Sequence, residues 1–178
     1  MALAPGDRLA PHFTAAELGV AREVPPEVAA GVLRVAAWLE AARAVVGTPL
    51  RVTSGYRTPA ENAAAGGVPD SDHLRGLAAD FEAVGLTPYA VYRRLAAGRA
   101  QLPPFDQVIF YATDDHVHVG LGPRQRGEVL VRLTEGRYTA LTADTVRALR
   151  GFVESPEGQT ALVLVLVAAL AVWLGVGG

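Results

Sequence analysis

Three of the four histidines in this chain fall in two short segments, and each segment also carries carboxylates. His73 precedes Asp80 in one, and Asp114 and Asp115 precede His116 and His118 in the other. A catalytic zinc takes three protein ligands from His, Asp or Glu and leaves one position for water, whose pKa the metal lowers toward about 7. His73, Asp80 and His118 supply such a set. Two neutral imidazoles and one carboxylate leave the ion about one net positive charge, enough to polarise both water and a carbonyl. The chemistry this set predicts is hydrolysis rather than structural metal binding. With no cysteine in the chain, nitrogen and oxygen must hold the ion, and disulfides are excluded.

These side chains need elements that bring them together. Gly76 allows a turn between His73 and Asp80, and the apolar run from Leu77 to Ala83 reads as a mostly buried strand that carries Asp80 and Glu82 on one face. His116 and His118 alternate with Val117 and Val119, so on a strand the histidines line a cleft while the valines pack. A strand from Gln107 to Tyr111 precedes them, and Asp114 reads as a turn residue between the two. Asp70 and Asp72 read as solvated loop residues, and His12 lies outside every motif.

Around this centre, Val28, Val32, Val35, Leu39, Ala42 and Val46 follow a helical period that ends at Gly47. Leu50 to Thr53 is a short strand feeding the loop with Arg57. Thr58, Pro59 and Glu61 have the types and spacing of a helix start, with the end at Gly66 and Gly67. Thr87 and Pro88 repeat that signal for a helix running to about Ala97, stopped by Gly98. Glu128 to Leu133 and Arg137 to Leu141 flank a turn and predict a closing hairpin.

The motif His, six residues, Asp, then a later His-x-His resembles the M15 metallopeptidases, which cleave peptide bonds in the stems and cross-links of bacterial peptidoglycan. The likeness covers roughly Phe13 to Arg124. It takes in Phe13-Thr14-Ala15-Ala16-Glu17-Leu18, Thr53-Ser54-Gly55-Tyr56-Arg57, Asn62 before Gly66-Gly67, the Ser71-x-His73 pair and Val117-His118-Val119-Gly120. The resemblance implies an α+β fold of the hedgehog and DD-peptidase type, a small antiparallel sheet with flanking helices. It implies one Zn2+ held by His73, Asp80 and His118, and Asp115 as the general base that activates water. It also implies that Arg57 faces the substrate carbonyl or carboxylate, where a fixed cation stabilises an oxyanion. His116 matches a position near the reaction centre in some members.

A chain of 178 residues with 51% hydrophobic content suits one sizeable core plus an appendage. The expected division is a peptidase domain over 1–137, a closing strand, helix and linker over 138–160, and a transmembrane helix over 161–178. From Ala161 to Gly178 no side chain is charged, and as a helix the segment is about 27 Å long, near the roughly 30 Å hydrocarbon core of a bilayer. A formal net charge of −2 without a basic block excludes a nucleic-acid footprint. All 16 basic residues are arginine. The N-terminal residues lack the apolar stretch of a signal peptide.

Arg147 and Arg150 before the apolar segment place the catalytic domain on the cytoplasmic side by the positive-inside tendency. That orientation fits a bacteriophage product, membrane-anchored in the host inner membrane or a virion membrane, acting in wall lysis or penetration. The expected function is therefore zinc-dependent hydrolysis of peptidoglycan peptides, with a non-catalytic wall-binding or virion structural module of the same fold as the alternative.

Overall fold

The computed structural model describes residues 3–111, 116–134 and 137–140. Its largest feature is a six-stranded sheet in the order β3-β4-β6-β5-β7-β8. The strands are β3 (Leu50–Ser54), β4 (Ala78–Ala83), β5 (Gln107–Tyr111), β6 (His116–Gly120), β7 (Glu128–Thr134) and β8 (Arg137–Ala140). A separate two-stranded sheet pairs β1 (Arg8–Ala10) with β2 (Phe13–Thr14). The sequence gives no alternation long enough to announce these last two.

The α+β class is as expected, but the sheet is mixed rather than antiparallel. β3, β4, β6 and β5 pair antiparallel in turn, whereas β7 runs parallel to β5. The reason lies in the edges available. Once β5 and β6 have formed their hairpin, the other edge of β6 is already taken by β4. The chain after β6 therefore crosses to the outer edge of β5, and its direction there makes the pairing parallel. β8 lies beside β7, where the sequence predicts a hairpin partner.

Helix α1 (Pro26–Val46) starts with Pro in its first turn and stops at Gly47, which adopts a left-handed φ of 76°. Its buried face is the predicted stripe Val28, Val32, Val35, Leu39, Ala42 and Val46, widened by Trp38 and by the small residues Ala29, Gly31 and Ala36. Trp38 stands edge-on to Phe81 of β4 at 6.3 Å and to Phe105 at 5.9 Å, so the helix seals the face of the sheet opposite the histidines. Each such buried side chain contributes roughly 1.5–3 kcal/mol, and truncating Leu39 to Ala costs about 2–5 kcal/mol.

Two shorter helices begin as their sequences predict. α2 (Pro59–Ala64) has a reciprocal cap, with Thr58 accepting from the Glu61 backbone and Glu61 accepting from the Thr58 backbone. α3 (Pro88–Ala97) is capped by the Thr87 hydroxyl and ends at Gly98, burying Val91, Tyr92 and Leu95. Among the described residues no helix is long and apolar enough to cross a membrane. The expected apolar span over 161–178 and all but the start of the 138–160 segment lie outside the described residues.

Candidate metal centre

β4 is buried along its length except at Glu82. Ala78, Ala79, Phe81 and Ala83 are buried apolar positions, and Asp80 is the carboxylate among them. Its cross-strand partner on β6 is His118, while Val117 and Val119 on the same strand are fully buried. The alternation read from the sequence therefore holds: His116 and His118 line a cleft and the valines pack.

The third group arrives from a short 3-10 helix, Asp72–Arg75, whose first turn is closed by the Ser71 hydroxyl accepting from the His73 backbone. Gly76 ends it in a left-handed conformation, φ 65°, and a Cβ there would lie 2.7 Å from the Val28 carbonyl oxygen. Only glycine satisfies both demands. The turn brings His73 Nε2 to 3.4 Å from Asp80 Oδ1, and His118 Nδ1 lies 2.8 Å from the same oxygen. One ligand atom from each of His73, Asp80 and His118 falls within 4.8 Å of the others. Tetrahedral zinc with bonds of about 2.1 Å separates its ligand atoms by roughly 3.4 Å, so this spacing suits such an ion.

The donor set also has its orientation fixed. His73 Nδ1 lies 2.6 Å from the Gly55 carbonyl oxygen. A carbonyl only accepts, so Nδ1 carries a proton, and Nε2 on the Asp80 side is the atom that can bind a metal once the ring is neutral. Asp80 Oδ2 accepts from Arg57 Nη2 at 2.7 Å, and Arg57 Nε donates to Ser54 Oγ at 2.8 Å. Burial pushes the Asp80 carboxyl up, but hydrogen bonds and charge from His118 and His73 outweigh it and hold the group well below the usual carboxylate range. The carboxylate is thus an anion in a buried site, ready to bind a cation.

The loop carrying Gly55 and Arg57 is itself clamped. Tyr56 N donates to the Leu18 carbonyl at 2.9 Å, and a Cβ at Gly55 would meet that carbonyl oxygen at 2.3 Å. The segment around Leu18 thus supports the acceptor that orients His73. This gives a structural reason for the Phe13 to Leu18 and Thr53 to Arg57 motifs to occur together.

His116 stands beside the centre rather than in it. Its Nε2 is 3.9 Å from Asp80 Oδ1, and its ring stacks on Tyr111 at 4.6 Å with 18° between planes. The Arg132 guanidinium lies 5.1 Å from the centre of the Tyr111 ring. Asp115 and Asp114 fall in 112–115, outside the described residues. His12 pairs with Glu40 at 3.0 Å, apart from the metal ligands.

One carboxylate differs from expectation. Asp72 is not a solvated loop residue: it is partly buried, pairs with Arg75, and packs against Gly120 and Gly122, where a Cβ would come within 3.2 and 3.0 Å of its Oδ2. The sequence reading also missed Asp106, which is 2% exposed and bound by Arg126. The only hint was an acidic residue between apolar Phe105 and the β5 strand. Its partner lies twenty positions away.

The ligands open into a cleft of about 440 Å3, bounded by the 65–68 loop on one side and by Ile109, Tyr111 and His116 on the other. A second depression of about 450 Å3, with Glu17, Tyr56 and Glu61 in its wall, shares Arg57 with it. His73 from the short 3-10 helix meets Asp80 and His118 of the mixed sheet at the base of this cleft, and such a His-Asp-His set could hold a metal ion. Residues 7–120, more than half of the chain, match the Peptidase M15 family, and the chain belongs to that family. No curated protein matches it.

Proposed function

We propose that this protein is a zinc-dependent peptidase that hydrolyses peptide bonds in bacterial peptidoglycan stems or cross-links. The observation that carries the reading is the convergence of His73, Asp80 and His118 in a cleft whose outer groups fix their orientation. M15 membership supplies the substrate class.

His73, Asp80 and His118 would hold the ion, which when bound supplies Lewis acidity toward water and the scissile carbonyl. Asp115 accepts a proton from the attacking water and later passes it to the leaving amine. Arg57 holds Asp80 in place through Nη2, and its fixed positive charge stabilises the oxyanion that develops on the carbonyl. His116, stacked on Tyr111, forms the wall beside the reacting bond. The uncharged sequence from Ala161 to Gly178 supports membrane anchoring, and a phage-encoded role in wall lysis or penetration follows from a catalytic domain on the cytoplasmic side of that anchor.

The test is digestion of purified sacculi with the full chain, followed by mass spectrometry of the soluble fraction. Fragments with new amino termini, abolished by a chelator and restored by zinc, are the expected result. Protein that sediments with sacculi and releases nothing would favour the wall-binding module instead.

A further inference from the structure

The 121–127 loop lies beyond the family-matched residues and carries two arginines in different circumstances. Arg126 is committed to Asp106. Its backbone N and Nε reach Oδ1 at 3.2 and 2.8 Å, and its Nη2 reaches Oδ2 at 2.8 Å. Arg126 Nη1 also pairs with Glu128 at 2.8 Å. Asp106 in turn pins both ends of the loop through its backbone, donating to the Gly120 carbonyl and accepting from Glu128 N, each at 2.9 Å. Within the loop Gln125 takes a left-handed φ of 46°, a conformation that side chains other than glycine rarely adopt and that persists only when its surroundings impose it.

Arg124 is what this loop presents to the cleft. Its side chain lines the cleft and is 73% exposed, and its Nε is 4.0 Å from Asp106 Oδ2, too far for a hydrogen bond. Both Asp106 oxygens already accept from Arg126. Of the other carboxylates lining the cleft, Asp80 is engaged by Arg57 and the histidines and Asp72 by Arg75, while the exposed Asp70 makes no hydrogen bond with Arg124. The Arg57 guanidinium is turned toward Ser54 and Asp80 and that of Arg75 toward Asp72, and Arg132 lies over Tyr111. Arg124 makes no hydrogen bond among the described residues. A guanidinium on a pinned loop, facing a cleft with its fork open, is suited to bidentate capture of a carboxylate.

We propose that Arg124 is a specificity-determining residue that binds a free carboxylate of the peptide substrate, away from the bond that is cut. The inference rests on the peptidase reading above and deepens it. Stem peptides offer such groups, the α-carboxylate of a γ-linked glutamate and that of the diamino acid, and amidation removes them one at a time.

The experiment compares wild type, Arg124→Gln and Arg124→Lys on the tetrapeptide L-Ala-γ-D-Glu-meso-diaminopimelate-D-Ala and on forms amidated at each free carboxylate. Hydrolysis is followed kinetically, and binding of the same peptides is followed by calorimetry on the zinc-loaded protein. Arg124→Gln is expected to raise KM and Kd about five- to tenfold with kcat unchanged, and Arg124→Lys is expected to recover part of the loss. One amidated peptide should bind wild type as weakly as the variant binds the parent, and be indifferent to the substitution. Equal behaviour of wild type and Arg124→Gln, or a loss that persists on every amidated form, overturns the inference while leaving the peptidase reading intact. Wild type that binds the peptide through Arg124 but cuts neither it nor purified sacculi overturns the peptidase reading and keeps the carboxylate site. Wild type that does not bind the peptide and cuts neither it nor sacculi overturns both.

Discussion

His118 faces Asp80 directly across the β4–β6 ladder, with Nδ1 2.8 Å from Oδ1. Two of the three ligands are therefore placed by strand register, and a one-residue slip of β6 would turn His118 away from the cleft. Replacing either should abolish metal binding rather than weaken it slightly. For Asp80→Ala and His118→Ala we expect zinc affinity to fall by more than about 100-fold, measured by competition with a chromogenic chelator. Asp80→Ala should also lower the stability of the metal-free protein, because it leaves the Arg57 guanidinium without its carboxylate. Near-stoichiometric zinc in either purified variant would contradict the ligand assignment.

Arg57 acts on the same carboxylate from behind. Its fork spans Ser54 and Asp80, and Ser54 is itself the β3 residue registered opposite Asp80, after an irregularity in the ladder. Lysine cannot make both bonds from one planar group. Arg57→Lys is expected to lower zinc affinity about 10- to 100-fold, the usual effect of losing a group that orients a metal ligand. An unchanged affinity with a large drop in kcat would instead assign Arg57 to substrate alone.

How much of this was legible beforehand depended on sequence distance. His118 and the buried valines follow from alternation on one strand, and the Thr58 cap and the α1 stripe follow from local spacing, so each could be read directly. The parallel β5–β7 pair could not, because it depends on β4 already occupying the edge of β6. Asp106 with Arg126, and Asp72 against Gly120 and Gly122, join segments far apart in the chain. Nothing in either local sequence distinguishes such a carboxylate from one in solvent. The support of His73 by Gly55 escaped for the same reason: the bond is made by a backbone carbonyl, and the type of residue carrying it has no say.

Asp115 stands three residues before His118 in the sequence, and the general-base role assigned to it separates binding from turnover. Asp115→Ala should keep zinc at the wild-type level and lose hydrolysis by about 10^2- to 10^4-fold. Metal analysis beside a muropeptide digestion assay reads both quantities. Appreciable activity in the variant would remove Asp115 from that role.

Asp106 gives a prediction about acid stability that does not involve the metal ligands. Hydrogen bonds from the Arg126 side chain, against the opposing effect of burial, hold its carboxyl below the usual carboxylate range. A group whose pKa is lower folded than unfolded contributes stability above the unfolded value, about 3.9, and that contribution is lost as pH falls through the folded value. Asp106→Asn should therefore cost about 2 kcal/mol at pH 7, since Arg126 is partly exposed and recovers some solvation. The difference from wild type should shrink below about pH 4, where the unfolded chain takes up its proton before the folded protein does. Urea unfolding of the metal-free proteins at pH 7, 5 and 3 measures this directly. If the gap between the two stayed constant across that range, the folded and unfolded carboxyls would take up protons alike, and the pairing with Arg126 would not be holding Asp106 below its unfolded pKa.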